Sequence, residues 1–223
     1  MLLEALRTEV LETAKSLPVY GLVWMAGGTV CARDPQTGLV VVTPSGVDYE
    51  ELVPADLPVT DMDLKVVEGV MRPSVALNLW TAIFRARPDI HALVHTHSTH
   101  ATAFSVVGEP IPMVTETMAN WFGGPVPVAP YLSVEDPDFV DVPVELLGPG
   151  FGVLLGRHGP ITVGATLHDA LERAVTLEEG AKIYFVAHSL GRPNTFSPQE
   201  ASSSFEFYNE RYGQPKPSRQ GSD

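Results

Sequence analysis

The strongest constraint on this chain is the brevity of its central apolar runs and the little that separates some of them. Thr29–Arg33 and residues 39–43 are each five residues long, and only Asp34-Pro35-Gln36-Thr37-Gly38 lies between them. A parallel crossover needs about a dozen residues or more, so a link this short turns the chain straight back as a hairpin. Further β-rich runs fall near Val59, at residues 92–96, at Gly152–Leu155 and at 161–163, the last two flanking Gly156-Arg157-His158-Gly159-Pro160.

Between and around these runs, apolar residues recur every three or four positions. Leu2, Leu3, Leu6, Val10, Leu11, Ala14 and Leu17 form one stripe, which predicts an amphipathic helix that Pro18 and Gly21 end. Helices are also predicted at 75–87 behind a Ser74 cap, from a Ser98 cap to about Val106, at 113–122 and at 139–147. The longest is Leu167–Leu190, ended by Gly191-Arg192-Pro193. Helices interleaved with hairpin-linked strands predict an α/β sandwich with a mixed sheet rather than a doubly wound parallel one.

A length of 223 residues with 44% hydrophobic content predicts one domain with a sizeable core. Residues 1–193 are expected to form it, with 194–213 a tail packing on the core or on a neighbouring subunit and 214–223 disordered. The net charge of −13 argues against a nucleic-acid partner, because a phosphate backbone demands a basic face. No run approaches the roughly 18 apolar residues of a membrane span, and the acidic N-terminus does not read as a signal peptide. With a single cysteine, Cys31, the expected setting is a reducing, cytoplasmic one.

Among the seven histidines, His95 and His97 are the informative pair. At the end of a strand, residues two apart project from one face about 7 Å apart, close enough for both imidazoles to reach one ion. A third ligand must come from elsewhere, and His158, in a loop just beyond a strand, is the best candidate. Three neutral imidazoles with an open position describe a catalytic, zinc-like site, whereas an isolated His-x-His is more often chance or a pair of surface histidines. His91 and His188 are expected at the surface or at helix ends, and His100 beside the pocket.

Together these motifs resemble the class II aldolase/adducin family, over roughly residues 2–192. The resemblance rests on Gly21-Leu22-Val23-Trp24, Thr43-Pro44-Ser45-Gly46, Arg72-Pro73-Ser74, Arg85-Ala86-Arg87-Pro88-Asp89, His95-Thr96-His97-Ser98, Ala129-Pro130-Tyr131 and Gly156-Arg157-His158-Gly159, in that order. It implies a three-layer α/β/α sandwich with a largely antiparallel central sheet. It further implies a homotetramer of C4 type with sites at subunit interfaces, and one divalent metal per subunit on His95, His97 and His158. Zinc is the expected ion, with manganese, cobalt or iron as alternatives. The implied activity is cleavage or formation of a carbon–carbon bond beside the carbonyl of a sugar-like small molecule, as in L-fuculose-1-phosphate aldolase. Decarboxylation or dehydration on the same fold, or an adducin-like association module, are the other readings.

The departures from the family fall on the site. Its Pro-Ser-Ser-Glu run, whose Glu is an acid/base, reads Pro73-Ser74-Val75-Ala76 here. Its Gly-Thr-Ser-Gly-Asn loop reads Met25-Ala26-Gly27-Gly28-Thr29, and Trp80 stands where a histidine is common. Losing a positioned base costs on the order of 10²–10⁴ in rate. Glu116 is the leading replacement, by loose analogy with the methylthioribulose-phosphate dehydratases; it is otherwise an exposed first-turn carboxylate. Gly28, Thr29, Thr43, Ser45, Gly46 and Ser74 are expected to bind substrate through hydroxyls and backbone N–H groups, although Thr43-Pro44-Ser45-Gly46 also reads as a plain turn. Tyr131 either presents its hydroxyl to substrate or packs under its turn. Phe207, Tyr208 and Tyr212 either reach a neighbouring site or dock on the core. Met25, Val75, Leu77 and Trp80 are expected to make the pocket apolar, suiting a larger and less phosphate-dependent substrate.

Overall fold

The structure is a computed structural model that describes residues 1–212. Its elements are α1 (Glu4–Val19), β1 (Thr29–Arg33), β2 (Val40–Val42), β3 (Val59–Thr60), β4 (Val66–Glu68), α2 (Leu77–Ala86), β5 (Ala92–His95), α3 (Thr99–Val107), α4 (Glu116–Phe122), α5 (Asp141–Leu147), β6 (Gly152–Leu155), β7 (Gly159–Gly164), α6 (Leu167–Leu190) and α7 (Pro198–Arg211). The strands form one sheet in the order β4-β3-β2-β1-β5-β7-β6, and every strand pair is antiparallel. The parallel component is an isolated bridge between Val128 and Leu154.

Both faces of the sheet are covered, which is why its central strands are buried at nearly every position rather than at alternate ones. Val30, Ala32, Val41, Val59, Ala92 and Val94 point to one side and pack on α1 and the start of α6. Cys31, Val40, Val42, Leu93, Ile161 and Val163 point to the other and pack on α2 and α5. A third cluster joins α3, α4, the middle of α6 and α7. This is the three-layer α/β/α sandwich.

The strongest local signals land where expected. The chain reverses between β1 and β2 with the Asp34 carboxylate accepting from Thr37 N–H and O–H. Thr166 and Asp169 cap α6 reciprocally, so its predicted bounds hold. Other starts differ. Ser74 caps nothing: its hydroxyl is drawn to Thr29 and Trp80, and α2 begins at Leu77. Ser98 sits at the cap position of α3, but the Glu178 carboxylate of α6 accepts from His100 N–H and Ala101 N–H instead. The 113–122 stretch is helical only from Glu116, because the Thr115 hydroxyl accepts from Met118 N–H and sets the cap there.

Two elements go beyond the sequence reading. β4 is a short, largely exposed edge strand, held by Glu68, which pairs with the buried Arg7 at 2.5 Å. The tail contains α7, opened by a Ser197–Glu200 capping box with Pro198 in its first turn. It lies on α4 through Trp121–Tyr208 and a 2.7 Å hydrogen bond from Ser204 to Asn120, and its Phe205 stacks on Phe151 just before β6. Tyr212 stacks on Tyr208, and Phe207 is exposed. The expected disorder at 214–223 lies outside the described residues. No helix among the described residues is long and apolar enough to cross a membrane.

Candidate metal centre

The site gathers at one end of the three central strands. β5 is hydrogen-bonded to β1 and β7, with His95 opposite Thr29 on one side and Ile161 on the other. His95 follows Leu93 on the face turned toward α2, and His97 continues the alternation just past the strand end. His158 comes from the turn between β6 and β7, where Arg157 takes a left-handed φ of 57°. Two glycines make this approach possible. A Cβ on Gly159 would collide with the Thr96 carbonyl, and one on Gly28 would lie 2.8 Å from the His95 carbonyl and 2.7 Å from Val23.

The ligand nitrogens of His95, His97 and His158 all lie within 4.8 Å of one another. His95 Nε2 and His97 Nε2 face each other at 3.2 Å. His95 Nδ1 lies 2.9 Å from the Pro160 carbonyl, which also accepts from Thr96 N–H. Donating there leaves the Nε2 lone pair aimed at the other two rings, the usual arrangement behind a metal-ligating histidine. Burial, then the neighbouring His158 and His97, hold the His95 pKa well below its ordinary value. Burial and His158 bring His97 down to about 4, and desolvation lowers His158 as well. All three shifts favour the neutral imidazole, the form that ligates a metal, at pH 7.

The cavity over these rings holds about 160 Å³. Gly28, Thr29, Ser45, Gly46 and Ser74 line it, as do Val75, Ala76 and Trp80. No Asp, Glu, Lys or Arg is among its lining residues in the described chain. Thr43 does not reach it; fully buried, it accepts from Val30 N–H and braces the loop behind. Of the expected apolar wall, Trp80 is 1% exposed and Val75 74% exposed, and both line the cavity. Met25 points into solvent and Leu77 into the core under α2, because a left-handed φ turns Met25 out and the helical register turns Leu77 in.

Glu116 and Tyr131 do not line this cavity in their own chain. Glu116 is exposed on the first turn of α4. Tyr131 is half exposed beside the His158 turn, with the Arg157 guanidinium 4.4 Å over its ring. His100 also turns away, its Nδ1 2.8 Å from Glu178. Glu178 was not singled out by the sequence reading. Its signal was a carboxylate on the buried register of α6, among Ala174, Leu177 and Ala181.

A family model described as the Class II Aldolase and Adducin N-terminal domain matches residues 8–185. Among solved structures, an L-fuculose 1-phosphate aldolase is similar with a TM-score of 0.88 and 28% identity, covering 92% of this chain and 96% of that one. YgbL of Escherichia coli, a candidate aldolase/epimerase/decarboxylase, is similar at 0.81 and 28%, covering 91% and 98%. The L-fuculose-1-phosphate aldolase of Thermus thermophilus is similar at 0.72 and 26%, covering 83% and 95%.

Proposed function

This chain belongs to the class II aldolase/adducin family, and we propose that it is a metal-dependent aldehyde-lyase acting on a small, sugar-like hydroxyketone in the cytoplasm. The observation that carries this reading is the convergence of three neutral imidazoles in a cavity lined by hydroxyls and glycine backbone. Class II aldolases use a divalent metal. His95, His97 and His158 would hold one ion, zinc in our reading. When bound, that ion supplies Lewis acidity toward the carbonyl and hydroxyl oxygens of the substrate.

The rest of the work falls to the chain itself. Pro160 fixes the His95 tautomer through its carbonyl. Ser45, Ser74 and Thr29, with the backbone of Gly28 and Gly46, hold the part of the substrate remote from the bond that breaks, while Thr43 braces their loop. Glu116 moves the proton and Tyr131 contacts the substrate. Since Glu116 is exposed and outside the cavity of its own chain, it serves the site of an adjacent copy in a homotetramer. A second reading, decarboxylation or dehydration, is favoured by one observation: Ala76 leaves the described cavity without a carboxylate, and decarboxylation needs an electron sink more than a base.

The test is metal content per chain by plasma mass spectrometry, for the unaltered protein and His158→Ala. About one ion per chain, falling to near none in the variant, is expected. No stoichiometric metal after reconstitution would sink both enzymatic readings and favour an adducin-like association module.

A further inference from the structure

Trp80 is buried beside the metal centre, its ring centroid 5.6 Å from that of His95. It also ends a chain of polar contacts. Its indole nitrogen lies 3.1 Å from Ser74 Oγ, which lies 3.2 Å from Thr29 Oγ1. All three residues line the histidine cavity. An indole N–H only donates, so it occupies a lone pair of Ser74 and never competes for the Ser74 proton. The two hydroxyls carry two protons. One closes the contact between them, and the structure gives neither hydroxyl another acceptor among the described residues. The remaining proton is left without an acceptor on the described chain and is free to turn to the cavity that both residues line, where donation from Trp80 would strengthen it through cooperative polarisation.

We infer that Trp80 is a positioning residue that sets the polarity of the Ser74–Thr29 pair, so that the site presents a hydroxyl donor to an acceptor oxygen of the substrate, whether carboxylate, phosphate or carbonyl. This rests on the reading that the histidine cavity is the substrate site. It extends that reading by assigning the selection of an acceptor group to a side chain whose only polar atom is spent on Ser74. Trp80→Phe removes the donor and keeps an aromatic ring in place.

The zinc-loaded protein, Trp80→Phe, Ser74→Ala and the double variant are titrated with inorganic phosphate by calorimetry. Each single variant is expected to weaken binding about 3- to 10-fold. The double variant is expected to bind no more weakly than Ser74→Ala alone, since the second change removes an interaction already lost. Direct binding of phosphate to the metal is common to all four proteins and cancels. Independent, additive losses, an unaffected Trp80→Phe, or no phosphate binding to the unaltered protein would overturn the inference.

A second measurement covers the case in which Trp80→Phe fails to fold. Trp24, Trp80 and Trp121 give three indole N–H signals in a nitrogen–proton correlation spectrum. The Trp80 signal is expected to move in Ser74→Ala and on adding phosphate to the unaltered protein; a signal that stays in place in either case overturns the inference. Metal content separates the two levels. A protein that holds zinc but shows no coupling defeats the role of Trp80 alone. One that shows the coupling in its indole signal but holds no zinc defeats the functional reading instead.

Discussion

Two histidine sites start a few residues apart in this chain and do opposite things. His95, His97 and His158 face one another with no carboxylate among the residues lining their cavity. His100, only three positions beyond His97, turns to Glu178, whose two oxygens also accept from the backbone N–H groups of His100 and Ala101. The first cluster is a set of unspent lone pairs, the second a closed and satisfied one. The difference shows that a histidine's use is decided by what the opposing element brings to it. β6 and β7 bring a third imidazole to one cluster, while α6 brings a carboxylate to the other. The two are linked through the backbone, because Glu178 fixes the first turn of α3, just beyond the His95–His97 pair.

The comparison is sharpened most by giving the open cluster the carboxylate that only the closed one has. In the Glu116→Ala variant, Ala76→Glu is expected to raise retro-aldol turnover by on the order of 10²–10⁴, the usual worth of a positioned base, in steady-state assays of the zinc-loaded protein. The same gain in the otherwise unaltered protein would mean that Glu116 of a second copy does not serve as the acid/base. The reverse experiment is Glu178→Ala. It strands two helix-start N–H groups and one imidazole, so unfolding in urea should show a loss of about 3 kcal/mol, while zinc per chain stays near one in the folded fraction. If zinc were lost and stability kept, the two clusters would not be separable in this way.

A smaller effect comes from pH. The pKa of His97 is lowered from 6.5 to about 4, and His95 and His158 are lowered too, chiefly by burial. Below pH 6.5 the unfolded chain takes up protons that the folded one resists. Stability of the metal-free protein should then be fully present above about 6.5 and fall as the pH drops toward 4. A melting temperature of the metal-free protein that is flat from pH 7 to 4.5 would contradict the burial argument. Removing one of the three imidazoles, as in His158→Ala, should flatten the profile in part.

What was legible in the chain follows from what is local. The β1–β2 reversal, the bounds of α6 and the His95–His97 spacing each depend on residues within a few positions of one another, and all three stand in the structure. β4 was missed because its apolar run is only Val66-Val67: it is an exposed edge, held from afar by Arg7 through its own Glu68. The α7 helix was missed although Ser197-Pro198-Gln199-Glu200 carries a start signal, because its serine-rich sequence outweighed the capping pattern. Ser74 and Ser98 read as capping hydroxyls: Ser74 caps nothing because other partners claim it, and Ser98 holds the cap position while a carboxylate 78 residues from His100 accepts from the first N–H groups of α3.

By itself, then, the sequence determined that short strands turn back on one another between amphipathic helices, and that two imidazoles leave one strand end on the same face. Those outcomes follow from turn chemistry and from the twofold and 3.6-residue periods of the backbone, which need no distant partner. Only the tertiary structure decided that His158 closes the set and that Glu178 takes His100 out of it. It likewise decided that Trp80 spends its one donor on Ser74. Each of these depends on a contact between residues far apart in the chain or on different elements, where packing of buried faces chooses which side chains meet and leaves a buried polar group no alternative partner.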